Sequence, residues 1–344
     1  MQSDVWQQLL ALESVDLVSS WHSRIHSRTL NLKRATEITA SARQAREFFR
    51  NASNSDDTVR PLLTFYGVAS LARSTVLLLK RDNGEESLAP GHGLEACGWK
   101  NTISGEHSEA LRNLGELRVE TRAGLYTDFL SETSNRICLH VNSSAVDGRY
   151  QYPDPPFGAG FTLQDLLIRL PDISREMSQA GIQSQVANVQ TVNSSGESIV
   201  IDVSRSSFEQ FANEYADHEC DVVWHSPVTA SIKFPNSGND SFQPQFAHSY
   251  LSKSFGSIPN LHIVKPFDAE TRLSQLAMTY LLGYYLGMLT RYFPTHWIAL
   301  QQGTRGDALW PAIHAAQKYV ELVFPELVIE LVLDIVDGNW QRLE

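Results

Sequence analysis

Apolar residues between positions 5 and 50 recur at helical spacing. In "ATEITASARQAREFFRNAS", Ile38, Ala42, Ala45 and Phe49 fall on one stripe, with Arg43, Arg46 and Arg50 off it, and this predicts an amphipathic helix. "NSDDTVRPLLTFYGVASLARSTVLLL" predicts a second, largely buried helix over 59–79, with Asn54, Ser55 and Asp56 as cap candidates and Pro61 in the first turn. The following "KRDNGEESLAPGHGLEACGW" passes from charge to glycine and proline and reads as a loop.

Up to about residue 160 the pattern is mixed. "RICLHVN" is an extended candidate, and the turn-rich "YPDPPFGAG" marks a boundary because its prolines cannot continue a ladder. "FTLQDLLIRLPDISREM" returns to helix, with Thr162 as cap and Pro171 as breaker. "SQVANVQTV" and "SIVIDVS" alternate apolar and polar positions around "NSSGE" and predict a hairpin. "SFEQFANEYAD" reads as a short helix, "CDVVWHSPVTASIKF" as strand, and "PNSGNDSFQPQ", with almost no apolar anchor, as a loop. From 268 onward helices are expected over 271–292, 295–302, 308–323 and 326–336.

These elements predict a mainly α (α+β) fold without internal repeats. Its expected parts are an N-terminal helical part (1–95), a central α/β portion (96–268) and a C-terminal helical part (269–344). The two helical ends bury their apolar faces most simply against one another, as a split bundle. "LSQLAMTYLLGYYLGMLT", 273–290, carries no charge over 18 residues, close to the lower limit for a bilayer span. Its Ser274, Gln275 and two glycines, in a chain with no similar segment, favour a buried core helix and no membrane association.

Composition narrows the function. The chain is 42% hydrophobic and 10% aromatic, ample for a core. With 39 acidic against 28 basic residues its net charge is -11, which opposes non-specific attraction to nucleic acid or anionic lipid unless a site is locally basic. "MQSDVWQQLLALESVD" lacks the cationic and apolar order of a secretory signal, so a cytoplasmic location is expected. Cys97, Cys138 and Cys220 are odd in number and widely spaced, which suits reduced thiols and predicts no disulfide.

In "ARQAREFF", "RPLLTFYGVASLARSTVLL" and "GHGL", and again in "YYLGMLTRYFPTHW", the chain resembles the YaaC-like family of bacterial proteins. That resemblance implies no particular reaction. The first two stretches and the C-terminal helices are also similar to the wider HEPN group of helical bundles. Many of its members are metal-independent ribonucleases of toxin and antiphage systems that use a closely spaced arginine and histidine. Arg291 and His296 fit that spacing, although Tyr292 follows the arginine where the group often has a small polar residue. The resemblance also implies a homodimer that builds its cleft from two facing copies, RNA as the partner, and neither metal nor cofactor.

The residues themselves support that chemistry in outline. Pro294 ends one helix and opens the next, placing His296 in a first turn, where the helix dipole disfavours the imidazolium. A neutral His296 can take a proton from a ribose 2′-hydroxyl while Arg291 holds the phosphate oxygens. A purely structural reading is equally physical: Arg291 satisfies carbonyls at a helix end, and His296 packs beside Trp297. Arg60, Tyr66 and His92 belong to the family-like stretches and are candidates for a polar pocket with them.

Two metal constellations are weak. His22 and His26 share a helical face without a third ligand, and His218, Cys220 and His225 lie in and beside a strand. Nucleotide-hydrolase, dinucleotide and esterase motifs are absent from the sequence. Two functions are therefore expected: a HEPN-like ribonuclease or toxin-type effector in bacterial antiphage defence or stress, or a non-catalytic adaptor that binds a protein partner encoded nearby.

Overall fold

The computed structural model describes residues 3–136, 151–192, 198–202, 221–233, 250–253, 261–268 and 271–338. Near the N-terminus run α1 (Ser3–Leu9), α2 (Val15–His26), α3 (Leu32–Ser53) and α4 (Arg60–Leu79). The stripe Ile38, Ala42, Ala45 and Phe49 is buried, and α3 lies antiparallel to α4. Gly67 sets their separation, because a Cβ there would stand 2.6 Å from the Phe49 ring.

The expected cap of α4 is different. Val59 occupies the N-cap without a side-chain bond, and Asp56 instead closes a turn, its carboxylate accepting from Thr58 N–H at 2.9 Å and its carbonyl accepting from Val59 and Arg60. Pro61 sits in the first turn as its missing N–H allows.

The expected loop over "GHGLEAC" is a strand. β1 (His92–Cys97), α5 (Trp99–Thr102), α6 (His107–Arg112), β2 (Arg118–Gly124), α7 (Leu125–Thr133) and β3 (Gly160–Thr162) follow, with β1-β2-β3 an antiparallel sheet. Its glycines serve a close crossing rather than a turn: a Cβ on Gly124 would lie 2.2 Å from Gly93 N, at the bulge between His92 and Leu94. Thr162 and Asp165 form a reciprocal capping box on α8 (Leu163–Leu167), and Pro171 opens a 3-10 turn before α9 (Ser174–Gln179).

The predicted hairpin is present as β4 (Val186–Val192) and β5 (Ser198–Asp202). A second, β6 (Asp221–Ser226) with β7 (Thr229–Lys233), occupies "CDVVWHSPVTASIKF". With β8 (Tyr250–Lys253) and β9 (Leu261–Val264) they form an antiparallel sheet of order β6-β7-β5-β4-β9-β8. The expected strand in "RICLHVN" beyond Arg136, the helix in "SFEQFANEYAD" and the loop "PNSGNDSFQPQ" lie outside the described residues.

At the other end stand α10 (Gln275–Tyr292), α11 (Pro294–Gln301) and α12 (Trp310–Val336). The two helices expected over 308–323 and 326–336 are one. Pro325 removes only the hydrogen bond to the Glu321 carbonyl, and burial of Phe324, Pro325, Leu327 and Val328 carries the helix through it. Every residue of α10 from Gln275 to Thr290 is buried, so the charge-free stretch is core. Among the described residues α4, not α10, is the one helix long and apolar enough to cross a bilayer, so the chain does hold another such segment than 273–290, and α4 is mostly buried as well.

Helix α10 packs on α4 and α12, and α4 also packs on α7 and α12. At the closest point, a Cβ on Gly287 would stand 2.7 Å from the Phe65 Cβ, whereas one on Gly283 would meet Val320 at 3.4 Å and Val68 at 3.5 Å. Tyr284 donates to the Leu94 carbonyl at 3.1 Å, and Tyr285 donates to those of Leu117, also at 3.1 Å, and Phe161. These bonds fasten the three-stranded sheet to α10. Asn135 holds the entry to α10, accepting from Ser274 N–H at 2.8 Å and donating to the Arg272 carbonyl at 2.9 Å.

The two α10 glycines should therefore respond oppositely to alanine. Gly287→Ala overpacks the α4 contact and should lower unfolding stability by about 1–3 kcal/mol in urea titration. Gly283→Ala, with ordinary contact distances, should be neutral or stabilising by up to about 1 kcal/mol through helix propensity. Equal effects would contradict the packing described. Burial of both apolar helices further predicts that the purified chain stays in solution without detergent, which sedimentation checks directly.

Candidate functional site

Arg291 lies on the last turn of α10, four residues beyond Gly287 and so on nearly the same face. Its Nη1 donates to the Tyr66 hydroxyl at 3.1 Å, and its guanidinium stands 5.0 Å from the Tyr292 ring centroid. Among the described residues it has no carboxylate partner, in a chain with an acidic surplus. His92, at the start of β1, meets Phe65 edge-on at 5.0 Å and Tyr284 at 6.1 Å. Burial, and then the positive charges of Arg291 and Arg73, hold His92 below the ordinary histidine range.

Three of the sequence candidates, Arg291, Tyr66 and His92, are thus brought together. Tyr66 and His92 line a groove of about 650 Å³ with Ser41, Gln44, Phe48, Ser70, Arg73 and Glu85, and Arg291 reaches its edge through Tyr66. Arg73 and Glu85 form a long ion pair of 3.7 Å. Sequence reasoning did not find Arg73, although Tyr66, Ser70 and Arg73 stand at i, i+4 and i+7 on one face of α4.

His296 faces other groups. It occupies the first turn of α11, as the Pro294 break predicts, and its ring stacks on His107 at 5.3 Å and meets Phe293 edge-on at 6.1 Å. Its Nδ1 is buried without a hydrogen-bond partner. Burial, followed by the charge of His107, lowers its pKa, with the Ile103 carbonyl opposing weakly. The next residue, Trp297, is buried and donates from Nε1 to the Asp57 carbonyl at 2.9 Å. Among the described residues, the hydrogen-bond and ring partners of Arg291 thus differ from those of His296.

Arg60 stands apart from the groove. It donates to the Ala52 and Ser53 carbonyls at the end of α3, at 3.0 and 2.9 Å, and pairs with Asp57 at 3.2 Å and Glu321 at 3.3 Å. A second groove, of about 680 Å³, is lined mainly by apolar groups: Ala96, Trp99, Tyr284, Met288, Tyr292 and Phe293, with Lys100 at its margin.

The His22 and His26 rings lie 4.4 Å apart, tilted at 49°, but the described residues hold no cluster of three or more groups suited to a metal. His26 bonds the Leu78 carbonyl at 3.3 Å, and burial pushes its pKa down to about 4. In the other candidate set, His218 and Cys220 lie outside the described residues, as does Cys138, while His225 bonds Ser231 at 2.5 Å and Cys97 is a free thiol.

Five described histidines, His22, His26, His92, His296 and His314, are held below the ordinary range, with burial the first cause in each. Unfolding exposes them, so the unfolded chain binds protons that the folded chain refuses. Their contribution is complete above the ordinary value of 6.5 and is lost as pH falls towards about 4, where His26 titrates. The urea midpoint should accordingly drop between about pH 7 and about pH 5, and His26→Gln should flatten that slope. A midpoint independent of pH across that window would contradict it.

In comparisons with curated proteins and with solved structures, nothing matches the chain. A family model described as YaaC-like Protein matches residues 10–332. That span takes in the α3–α4 hairpin, the strands of both sheets and α10 through most of α12, so the chain belongs to the YaaC-like family.

Proposed function

We propose that the chain is a non-catalytic interaction protein that receives a protein partner in the apolar groove beside the end of α10. The observation that carries this reading is the separate anchoring of Arg291 and His296. One bonds Tyr66 on α4 and the other stacks on His107 in α6, so in a single copy the two side chains are held by different elements rather than by each other. The apolar groove offers the alternative, with Tyr292 60% exposed at its rim and Tyr284 and Met288 at its wall. Lys100 suits a partner segment that presents apolar side chains beside an acidic residue.

A second reading rests on protonation and charge. His296 is held neutral and Arg291 is unpaired among the described residues, the states a general base and a phosphate clamp require. A HEPN-like ribonuclease would then need the pair assembled across two copies, with Arg291 of each approaching a shared two-fold axis. The resemblance in the C-terminal block favours this arrangement for a toxin-type or defence effector.

One set of assays separates the two. For the interaction protein, the purified chain leaves RNA intact in EDTA, and Tyr292→Asp weakens binding to the protein encoded beside it at least about tenfold. Arg291→Ala and His296→Ala retain that binding. Metal-independent cleavage that leaves cyclic phosphate ends and falls at least about a hundredfold in both Arg291→Ala and His296→Ala would overturn the adaptor reading. A dimer in sedimentation would have to accompany it.

A further inference from the structure

The groove between α3, α4 and the start of β1 has a composition unlike that of the apolar groove. We propose that it is a binding site for a nucleoside monophosphate. The inference stands apart from the adaptor reading, and failure of either leaves the other untouched.

The phosphate end is set by charge. Arg291 has no carboxylate partner among the described residues and already donates to Tyr66, a wall of the groove. Arg73 lines the same wall and, among the described residues, its ion-pair partner is Glu85 at 3.7 Å. The charges of both arginines act on His92, in the groove wall, so this end of the groove carries positive potential in a chain of net charge -11. Two guanidiniums with a Tyr hydroxyl and a neutral imidazole match the oxygens of one phosphate monoester.

The rest of the groove is built for a flat, edge-polar group rather than for more phosphate. Phe48 and Tyr66 present rings 5.4 Å apart at 40°, apolar faces against which a base can stack. The Ser70 hydroxyl, on a buried residue, donates to Gln44 Oε1 at 3.2 Å, which fixes the carboxamide and leaves its Nε2 available to a base edge. The volume, about 650 Å³, lies within the ordinary range for small-ligand sites. A free nucleotide fits better than a strand of RNA, because a strand needs a track of cations and this groove has Arg73 beside Glu85, with Arg291 at its edge.

Calorimetric titration of the full chain tests the assignment with AMP, GMP, CMP and UMP, the matching nucleosides, inorganic phosphate and a short oligoribonucleotide. At least one monophosphate should bind one-to-one, and its nucleoside and inorganic phosphate should each bind at least about tenfold more weakly. Arg291→Ala, at an exposed position, should weaken the monophosphate at least about tenfold, with Arg291→Lys intermediate. Gln44→Ala should reduce discrimination among the four bases, and circular dichroism melts verify that each variant is folded. Absence of saturable monophosphate binding at millimolar concentration overturns the proposal, and so does unchanged affinity in Arg291→Ala. Inorganic phosphate binding as tightly as the nucleotide would leave an anion site alone and refute the nucleotide, while an oligoribonucleotide binding tenfold tighter would assign the groove to RNA.

Discussion

The contact between Gly287 and Phe65 governs where everything around the grooves can be. With no side chain at Gly287, α10 approaches α4 until backbone meets ring. One helical turn later the same face carries Arg291, which consequently arrives beside Tyr66, the neighbour of Phe65. Between them on α10, Tyr284 and Tyr285 use their hydroxyls to hold Leu94, Leu117 and Phe161 of the small sheet and its flank. The start of β1, and with it His92, is carried to Phe65 by the same packing. A single missing Cβ thus aligns segments more than two hundred residues apart in the chain.

The α3–α4 hairpin is closed at both ends by arginines acting on backbone carbonyls. Arg60, at the start of α4, serves Ala52 and Ser53 at the end of α3. Arg34, near the start of α3 and buried, serves Leu77, Lys80 and Arg81 at the end of α4. Each guanidinium satisfies oxygens that a helix end leaves unpaired, where the dipole favours positive charge. Trp297 reaches the loop between these helices, so α11 is oriented by the same hairpin. In the first turn of that helix, His296 stacks on His107.

Much of the fold was legible because its signals are local. The Ile38 to Phe49 stripe, the Thr162 to Asp165 cap and the β4–β5 alternation each depend on spacing within a few residues, and each appears in place. The misread elements depended on distant partners. Gly93 looks like a turn residue until its strand is seen to pass close against Gly124, and Pro325 looks like a stop until the buried face around it is seen. The site followed the same rule. The Arg291 and His296 spacing indicates nearby backbone positions, whereas their partners Tyr66 and His107 come from distant segments that no local spacing reveals. Arg73, Gln44 and Phe48 carry no motif, and they become neighbours of His92 only when β1 crosses the helical hairpin.

The order of the elements also shapes how the chain is born. Helix α4 is apolar around most of its circumference, and of the helices that cover it α10 is made almost two hundred residues after it and α12 later still. At ordinary rates of translation that interval is on the order of ten to forty seconds, during which the nascent hairpin stands outside the ribosome without them. Until then α2, α3 and α7 can cover α4 but α10 and α12 cannot, and a stalled or truncated product lacking its last seventy or so residues would leave the rest of its apolar surface open to aggregation.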